Sequence, residues 1–310
     1  MTNQLTGVLA PVVTPFDAQF NPDAKRLIAH CQWLLEQDVG LSPFGSSSEG
    51  NSLSVEEKID LIEQLVDAGL PPSRMMPGTG CCALTDTIRL TRRAVELGCA
   101  GVLMLPPFFY KGLSDDDLYG YFSAVIEAIA DTRLKIYLYH IPQVSGVPIT
   151  LPLIERLLQG FPENIAGMKD SSGDWENMRA ALEMFQPQGF DLFSGQDDYL
   201  LATLRMQGKG AILGSANFNP RQSVSLYRDF SGDDAEQRQK ALSAVWAVIQ
   251  SYTLFPAMKA AVAAITGDRE WCRPRPPLSA LDDDSYEQLC QALTQAGLEM
   301  TTLHIEEEYS

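Results

Sequence analysis

Short apolar runs alternate with segments of helical periodicity along most of the chain, and this alternation constrains the fold more than any other feature. Each strand–helix unit takes about 25–35 residues, and alternating units of this kind predict a parallel sheet covered by helices. Eight such units predict an α/β fold closed into a (β/α)8 barrel, the TIM barrel, of about 250 residues. The predicted strands are residues 7–13, 39–44, 75–78, 101–105, 134–139, 165–169, 190–193 and 210–214.

The C-terminal part of the chain continues with helical patterns and gives no further strand signal. We therefore predict a barrel over residues 1–234 and a helical region over residues 235–310 that packs on the barrel as an extension. Because proline interrupts a helix, Pro256 predicts a boundary between two of these helices. The expected C-terminal helices are residues 237–255, 257–265 and 284–296.

Composition and charge exclude several classes of protein. The formal net charge of −17 opposes binding to a phosphate backbone, so no nucleic-acid partner is expected. No apolar run approaches the roughly 20 residues that a membrane span needs, and the N-terminus lacks the basic and apolar regions of a signal peptide. The six cysteines are too few for a disulfide framework in 310 residues, and the three histidines are too scattered for a metal cluster. We expect a cytoplasmic protein with reduced thiols and no membrane or metal partner.

Lys169 stands at the end of the apolar run 165–169, where an ammonium group is costly to bury. That cost is understandable if the amine must be neutral for part of its working cycle, since a neutral, desolvated lysine forms Schiff bases with carbonyls. Tyr139 ends the preceding predicted strand, and neighbouring strands lie about 4.8 Å apart, so a phenol that shuttles protons could lie beside the amine. The alternatives are an ion pair of Lys169 with Asp170 or another carboxylate, and a packing role for Tyr139.

Residues 45–50, Gly-Ser-Ser-Ser-Glu-Gly, follow the second predicted strand and belong to the same rim of the barrel. Their hydroxyl and backbone N–H groups form a place where a carboxylate could rest, although such a segment can also be a simple turn. A 2-oxo acid has the two matching functional groups, a carbonyl for Lys169 and a carboxylate for Ser46 and Ser47. The pattern therefore predicts a site for a 2-oxo acid at the C-terminal ends of the strands.

Residues 78–83, Gly-Thr-Gly-Cys-Cys-Ala, match the dinucleotide fingerprint G-x-G-x-x-A after a strand. A dinucleotide site also needs an acidic residue at the end of the next strand, about 20 residues further on. The nearest candidate, Glu96, falls inside a predicted helix, so nicotinamide binding is not expected.

Three motifs in order at the predicted strand ends resemble the class I pyruvate-dependent aldolases and lyases, the family that includes dihydrodipicolinate synthase and N-acetylneuraminate lyase. Residues 45–49 resemble the family's G-[ST]-[ST]-G-E carboxylate loop with Ser48 in place of glycine. Residues 139–142 resemble Y-N-x-P with His140 in place of asparagine, and residues 167–169 resemble G-[IV]-K. The resemblance extends over residues 7–217.

The resemblance implies roles for these residues. Lys169 would be the Schiff-base lysine and Tyr139 the proton shuttle, while Ser46 and Ser47 would bind the carboxylate. The backbone carbonyl of Ile212 would lie near the substrate. Family members often form homotetramers in which a tyrosine from a neighbouring subunit relays protons, and Tyr110 is favoured for that place over Phe109 because it carries a hydroxyl group.

The same resemblance bears on the substrate. Dihydrodipicolinate synthases carry an arginine shortly after Y-N-x-P, whereas residues 143–146 here read Gln-Val-Ser-Gly and contain no cation. The lyase branch holds a hydroxylated, sugar-acid-like tail with residues that match Ser171, Gly195, Asp197, Asp198 and Ser215. We therefore expect a carbon–carbon lyase or aldolase that cleaves a 2-oxo acid to pyruvate and an aldehyde, or condenses them, without a metal or organic cofactor. A dihydrodipicolinate synthase, a sugar-acid dehydratase of the same family and a non-enzymatic 2-oxo acid sensor remain alternatives.

Overall fold

The computed structural model describes residues 5–300. Seven parallel strands form one curved sheet in the order β2-β1-β7-β6-β5-β4-β3. Each strand is short and its residues are almost all buried, as expected for a parallel sheet that is covered by helices on its outer face. The strands are β1 (Gly7–Ala10), β2 (Gly40–Leu41), β3 (Val102–Met104), β4 (Ile136–His140), β5 (Ile165–Asp170), β6 (Asp191–Ser194) and β7 (Gly210–Ile212).

The predicted strand at residues 75–78 is not a regular strand, which corrects the expectation of eight. This segment forms one parallel bridge to β2, between Leu41 and Met75, and one to β3, between Gly78 and Leu103. Pro77 accepts a 2.9 Å hydrogen bond from the N–H of Leu103 but has no N–H to return. The segment still links the two edges of the seven-stranded sheet, so backbone hydrogen bonds continue around the ring.

Helices follow the strands as the alternation predicts, and local sequence explains several of their ends. Ser54 and Glu57 form the expected capping box at the start of α2. Pro220 occupies the first position of α9 after Asn219, where its missing N–H costs nothing. The helices are α1 (Ala24–Glu36), α2 (Val55–Asp67), α3 (Leu84–Leu97), α4 (Asp115–Ile129), α5 (Pro142–Ser145), α6 (Leu151–Gly160), α7 (Trp175–Phe185), α8 (Leu200–Arg205), α9 (Pro220–Arg228), α10 (Ala235–Gln250), α11 (Leu254–Thr266) and α12 (Asp283–Gln295).

The C-terminal helices differ from the prediction at Pro256. The proline lies in the first turn of α11 and does not separate two helices, because the N–H groups of a first turn have no intrahelical acceptor. The break falls at residues 251–253 instead. Helices α10, α11 and α12 share one apolar cluster with Val13 and Phe218, which belong to the part of the chain that carries the sheet.

The interior of the sheet is filled by side chains. Leu9, Met76, Leu103, Phe193 and Ile212 belong to one buried cluster, so the barrel is packed inside, as in other barrels of this size. At the opposite end from the candidate site, the Tyr137 hydroxyl donates to Asp191 Oδ2 at 3.2 Å, and Lys209 Nζ lies 3.3 Å from Asp191 Oδ1.

Several predictions concern the ends or the whole of the chain. All six cysteines are free. Within residues 5–300, no single helix is long and apolar enough to cross a membrane, and only α10 and α11 together, bent by 117°, pass that test by length and composition. Residues 1–4 and 301–310, with His304, lie outside the described residues. The domain boundary at residue 234 stays a prediction.

Candidate active site

Lys169 and Tyr139 are direct neighbours on adjacent strands. They are paired in the register of β4 and β5, and each is only 3% exposed. Lys169 Nζ lies 4.6 Å from the centroid of the Tyr139 ring. The sequence prediction that the amine and the phenol approach each other at the C-terminal ends of these strands is therefore consistent with the geometry.

The alternative reading of Lys169 as the partner of Asp170 does not hold in the described residues. Asp170 accepts hydrogen bonds from the backbone N–H and the hydroxyl of Ser172, at 2.8 and 2.6 Å, and from Asn177 Nδ2 at 3.1 Å. The lysines that form ion pairs within residues 5–300 are Lys209 and Lys259. Lys169 is thus buried without a neutralising carboxylate in contact.

Gly195 follows β6 and packs directly on the Lys169 side chain. A Cβ atom at Gly195 would lie 2.9 Å from Lys169 Cε and 1.9 Å from Ser171 Oγ. Neither approach is possible for real atoms, so this position requires glycine. Ser171 is itself 5% exposed, its N–H donates to the His140 carbonyl at 2.8 Å, and its carbonyl accepts from Gln196 Nε2 at 3.0 Å.

His140, which stands where the family motif has asparagine, holds the chain after β4. Its Nδ1 accepts a 3.1 Å hydrogen bond from the backbone N–H of Ile149. Burial lowers the pKa of His140, and the nearby charges of Asp170 and Asp174 oppose that shift. The ring is therefore suited to remain neutral, with Nδ1 as an acceptor.

The carboxylate loop, defined here as residues 45–50, is a tight turn between β2 and α2. The carbonyl of Gly45 accepts from the N–H groups of Ser48 and Gly50, at 3.2 and 3.0 Å. A Cβ at Gly50 would lie 2.0 Å from the Phe44 carbonyl oxygen, so the turn closes only around glycine. Ser46 and Ser47 are half-buried, and in the described part of the chain their N–H groups donate to no protein acceptor. The turn can therefore offer two backbone donors to an anion.

Asp197 and Ser215 form a buried polar pair beside the site. Both are 0% exposed, and Ser215 Oγ donates a short hydrogen bond to Asp197 Oδ1. Asp197 Oδ2 has no partner among residues 5–300. Burial raises the pKa of Asp197 to about 7, and Asp198 adds to the rise, whereas Ser215 and the nearby Lys169 oppose it. Asp198 is exposed, so the two neighbouring carboxylates face different surroundings.

The remaining site residues of the sequence prediction lie in two different places. Ile212 ends β7 and is 1% exposed in the interior cluster. Tyr110 is 58% exposed and Phe109 is 73% exposed, with their rings edge to face at 5.4 Å. In a single chain, the hydroxyl of Tyr110 is therefore turned to the surface and not enclosed in the site.

Sequence reasoning missed two residues of the C-terminal helices that reach the site loops. Gln239 of α10 donates from Nε2 to the Asp197 carbonyl at 2.9 Å. Lys259 of α11 is 1% exposed, and its Nζ lies 2.6 Å from Glu49 Oε1 in the carboxylate loop. For Lys259, the available sequence signal was a charged residue at the centre of an otherwise apolar helical segment, residues 257–263.

Two further observations concern the apparent dinucleotide motif and the arrangement of possible metal ligands. A Cβ at Gly78 would lie 2.5 Å from the Phe44 carbonyl oxygen, and one at Gly80 would lie 2.3 Å from the Leu105 nitrogen. The glycines of the apparent dinucleotide motif are thus explained by backbone packing. Residues 5–300 contain no group of three or more His, Cys, Asp or Glu side chains arranged to hold a metal ion.

Comparison with known proteins identifies the relatives of this fold and site. The family model of the dihydrodipicolinate synthetase family matches residues 4–296. The chain belongs to this family. An uncharacterized DapA-like lyase of Chloroflexus aurantiacus is 35% identical over 287 residues, which cover 91% of this chain and 94% of that relative. The chain is accordingly a carbon–carbon lyase of the dihydrodipicolinate synthetase family.

Solved structures agree with the family assignment. Dihydrodipicolinate synthase from Agrobacterium tumefaciens superimposes with a TM-score of 0.88 at 28% identity, covering 94% of this chain and 100% of that one. YagE, a prophage protein of Escherichia coli K12 solved in complex with pyruvate, gives a TM-score of 0.87 at 28% identity, covering 95% and 99%. By its name, YagE is a candidate 2-dehydro-3-deoxy-D-gluconate aldolase.

Proposed function

We propose that the protein is a class I aldolase that forms a Schiff base between Lys169 and a 2-oxo acid, and that it cleaves a hydroxylated substrate to pyruvate and an aldehyde or catalyses the reverse condensation. The observation that carries the proposal is the Lys169 amine, 3% exposed and without a carboxylate partner in the described residues, beside the Tyr139 ring. The neutral form of a lysine amine is the nucleophile that attacks a carbonyl carbon.

In the cleavage direction, Lys169 Nζ attacks the C2 carbonyl, and Tyr139 donates the proton with which the carbinolamine hydroxyl leaves as water, so that a protonated imine and the Tyr139 phenolate result. Tyr139 accepts the proton of the C4 hydroxyl as the C3–C4 bond breaks, and the electron pair moves into the imine to give an enamine. The aldehyde leaves, C3 is protonated, and water releases pyruvate from Lys169. Every bond change is supplied by the substrate, water and these two side chains.

The carboxylate loop is the proposed anchor of the 2-oxo acid. Ser46 and Ser47 supply hydroxyl groups and two backbone N–H groups without protein acceptors in the described residues. A carboxylate bound there would leave its adjacent carbonyl free to meet Lys169. The Ile212 carbonyl is proposed to lie near the same part of the substrate. The E. coli relative solved with pyruvate supports a ligand of this class.

The hydroxylated tail is proposed to lie along Ser171, Gly195, Asp197, Asp198 and Ser215. Asp197 Oδ2 is buried without a partner among residues 5–300, so it can accept a hydrogen bond from a substrate hydroxyl group. Gly195 allows Lys169 and Ser171 to pack closely against the backbone at this position. The name of YagE, a candidate 2-dehydro-3-deoxy-D-gluconate aldolase, favours a sugar acid as the substrate class.

The assembly is part of the proposal. Tyr110 lies on the surface with Phe109, and we propose that it reaches into the site of a neighbouring subunit and exchanges protons with Tyr139. The catalytic unit would be a (β/α)8 barrel over residues 1–234, in which residues 75–78 take the place of one strand. Residues 235–310 would be its helical extension, and the whole would form a homotetramer.

Borohydride reduction in the presence of pyruvate tests the proposed chemistry. A pyruvate imine on Lys169 would be reduced to a stable secondary amine, and peptide mass spectrometry would locate the added mass on Lys169. Lys259, which is even more deeply buried than Lys169, is an internal comparison because Glu49 neutralises it. An adduct that is absent, or that lies only on another lysine, would contradict the proposal.

Dihydrodipicolinate synthase activity is the second candidate. A relative of that name from Methanosphaerula palustris is 32% identical over 231 residues, covering 74% of this chain and 77% of that relative. Residues 143–146 contain no cation for a second carboxylate, which disfavours this activity. A coupled assay with pyruvate and aspartate semialdehyde separates the two, and an assay for water elimination from sugar acids tests the dehydratase alternative. A 2-oxo acid sensor would bind pyruvate without turnover of any aldehyde.

A further inference from the structure

We propose that Lys259 is a positioning residue for substrate binding: from helix α11 it holds and neutralises Glu49, and so keeps the carboxylate loop ready to accept an anionic substrate. This inference rests on the proposed function, because it assigns a role in binding the 2-oxo acid carboxylate. Lys259 does not touch the substrate in this proposal. It acts through Glu49.

The pair is buried on all sides. The Lys259 and Glu49 side chains are each 1% exposed, and Nζ lies 2.6 Å from Oε1. Lys259 Nζ also donates to the Arg273 carbonyl at 2.6 Å and lies 4.3 Å from the centroid of the Phe16 ring. The ammonium group is therefore fully enclosed between α11, the carboxylate loop, the segment after β1 and residues 272–275.

Stability alone does not account for this lysine. Its neighbours in α11 are Ala257, Met258, Ala260 and Val262, so an apolar side chain would suit the same environment. Desolvation of two charges costs several kcal/mol, and replacing a buried ion pair by apolar residues is often neutral or stabilising. We therefore attribute the buried charge of Lys259 to its effect on Glu49.

Glu49 fixes the end of the carboxylate loop. Its backbone is left-handed, with φ 53° and ψ 32°, a conformation that a non-glycine residue adopts only when its surroundings hold it. Oε1 is held by Lys259, and Oε2 accepts the backbone N–H of Arg275 at 2.9 Å. On the preceding residue, the Ser48 carbonyl accepts from Thr14 Oγ1 at 2.7 Å. Both carboxylate oxygens thus tie the loop to the C-terminal part of the chain.

The sign of the charge matters as well as the contact. Glu49 belongs to the same tight turn as Ser46 and Ser47, and its N–H donates to the Ser46 carbonyl at 3.1 Å, so its negative charge is close to the proposed anion site. An unpaired carboxylate there would repel a substrate carboxylate in surroundings of low polarity. Lys259 cancels that charge from the buried side and leaves the two serine N–H groups free for the substrate.

The protonation state of the Lys259 amine gives a second way to test its contact with Glu49. Burial lowers the pKa of Lys259 to about 8, although Glu49 and the more distant Cys272 raise it, and Arg273 lowers it further. The Arg275 guanidinium also lies over the Phe16 ring, 4.7 Å from its centroid. Above about pH 8, Lys259 loses its proton, and Glu49 then stands uncompensated behind the loop.

The test measures the pyruvate concentration that gives half-maximal borohydride trapping on Lys169, together with KM and kcat, in three variants. Lys259→Met should raise the half-saturating concentration of pyruvate about tenfold or more, with a smaller change in kcat. Lys259→Met combined with Glu49→Gln removes both charges and should return the value to within about threefold of wild type. Lys209→Met, which removes the partner of the buried Asp191 at the far end of the barrel, should lower the melting temperature without moving the half-saturating concentration.

Each result has a defined meaning. An unchanged half-saturating concentration in Lys259→Met with trapping intact overturns the positioning role and leaves the proposed function standing. An equal rise in Lys209→Met, or a double variant as weak as the single one, also overturns it. No adduct on Lys169 in the wild type at any pyruvate concentration overturns the proposed function and this inference with it.

If Lys259→Met does not fold, the wild type and the double variant decide the question between about pH 7 and about pH 9.5. The half-saturating concentration of pyruvate in the wild type should rise above about pH 8, as Lys259 loses its proton. The double variant has neither charge and should lack that rise. The same pH dependence in both proteins overturns the inference.

Discussion

Asp197 makes the stability of the fold depend on pH in a way that one substitution should remove. The carboxyl group is 0% exposed, Ser215 donates to one oxygen, and the other oxygen has no partner in residues 5–300. Burial raises its pKa from 3.8 to about 7. Because a tenfold change in a proton-binding constant corresponds to about 1.4 kcal/mol, ionised Asp197 costs the folded state about 4 kcal/mol.

The direction of the effect depends on which state, folded or unfolded, holds the proton. Below about pH 4 both states carry the proton, so the group costs nothing. Between about pH 4 and about pH 7 the unfolded state has lost its proton while the folded state retains it, and the free energy of unfolding falls as the pH rises. Above about pH 7 both states are ionised, and the full cost remains. Asp197→Asn has no such titration.

Urea unfolding of wild type and Asp197→Asn across this range measures the effect. The free energy of unfolding of Asp197→Asn relative to wild type should increase by about 4 kcal/mol between pH 4 and pH 8, while contributions from the other carboxyl groups cancel in the difference. Asp198→Asn is the matched comparison: Asp198 is adjacent but exposed, and because its charge adds to the raised pKa of Asp197, its removal should reduce the pH-dependent loss of stability slightly and not abolish it. A difference for Asp197→Asn that does not change with pH would refute the reasoning.

Three further predictions follow from the site. Gly195→Ala should reduce kcat by at least about 100-fold and destabilise the fold by about 1–3 kcal/mol, because its Cβ would lie 1.9 Å from Ser171 Oγ. The control is Gly120→Ala, which has nothing within 4 Å of its Cβ and should leave kcat unchanged in a steady-state assay. Lys169→Ala should abolish both turnover and borohydride trapping, and retained turnover would contradict the Schiff-base mechanism. Tyr110→Phe should lower kcat more than KM, and in the wild type activity should fall when dilution separates the subunits, as followed by analytical ultracentrifugation; full activity of separated monomers would contradict a shared site.

The part of the site that lies along single strands could be predicted from the sequence. An apolar run that ends in Lys169 and a second that ends in Tyr139 place both residues on one rim, because parallel strands end together, and the register of β4 and β5 pairs them directly. The carboxylate loop could also be predicted from the sequence, because its glycines and serines are consecutive. These features depend on local spacing alone.

What escaped prediction depends on long-range packing. Pro77 prevents a full ladder at residues 75–78, but whether the segment still bridges both neighbours is decided by the surrounding strands. Asp197 and Asp198 are consecutive in the sequence, yet only Asp198 is exposed, and Gln239 of a distant helix donates a hydrogen bond to the Asp197 carbonyl. The contact of Lys259 with Glu49 joins α11 to the carboxylate loop and has no local signature.

The chain buries two lysines at its site and surrounds them differently, and this contrast explains why only one is expected to react. Lys259 is held by Glu49 and the Arg273 carbonyl, so its nitrogen is engaged by two acceptors, and its side chain is 1% exposed. Lys169 has the face of Tyr139 beside it and no carboxylate contact in the described residues. Selective modification of Lys169 by pyruvate and borohydride, with Lys259 unmodified, is the chemical consequence of that difference.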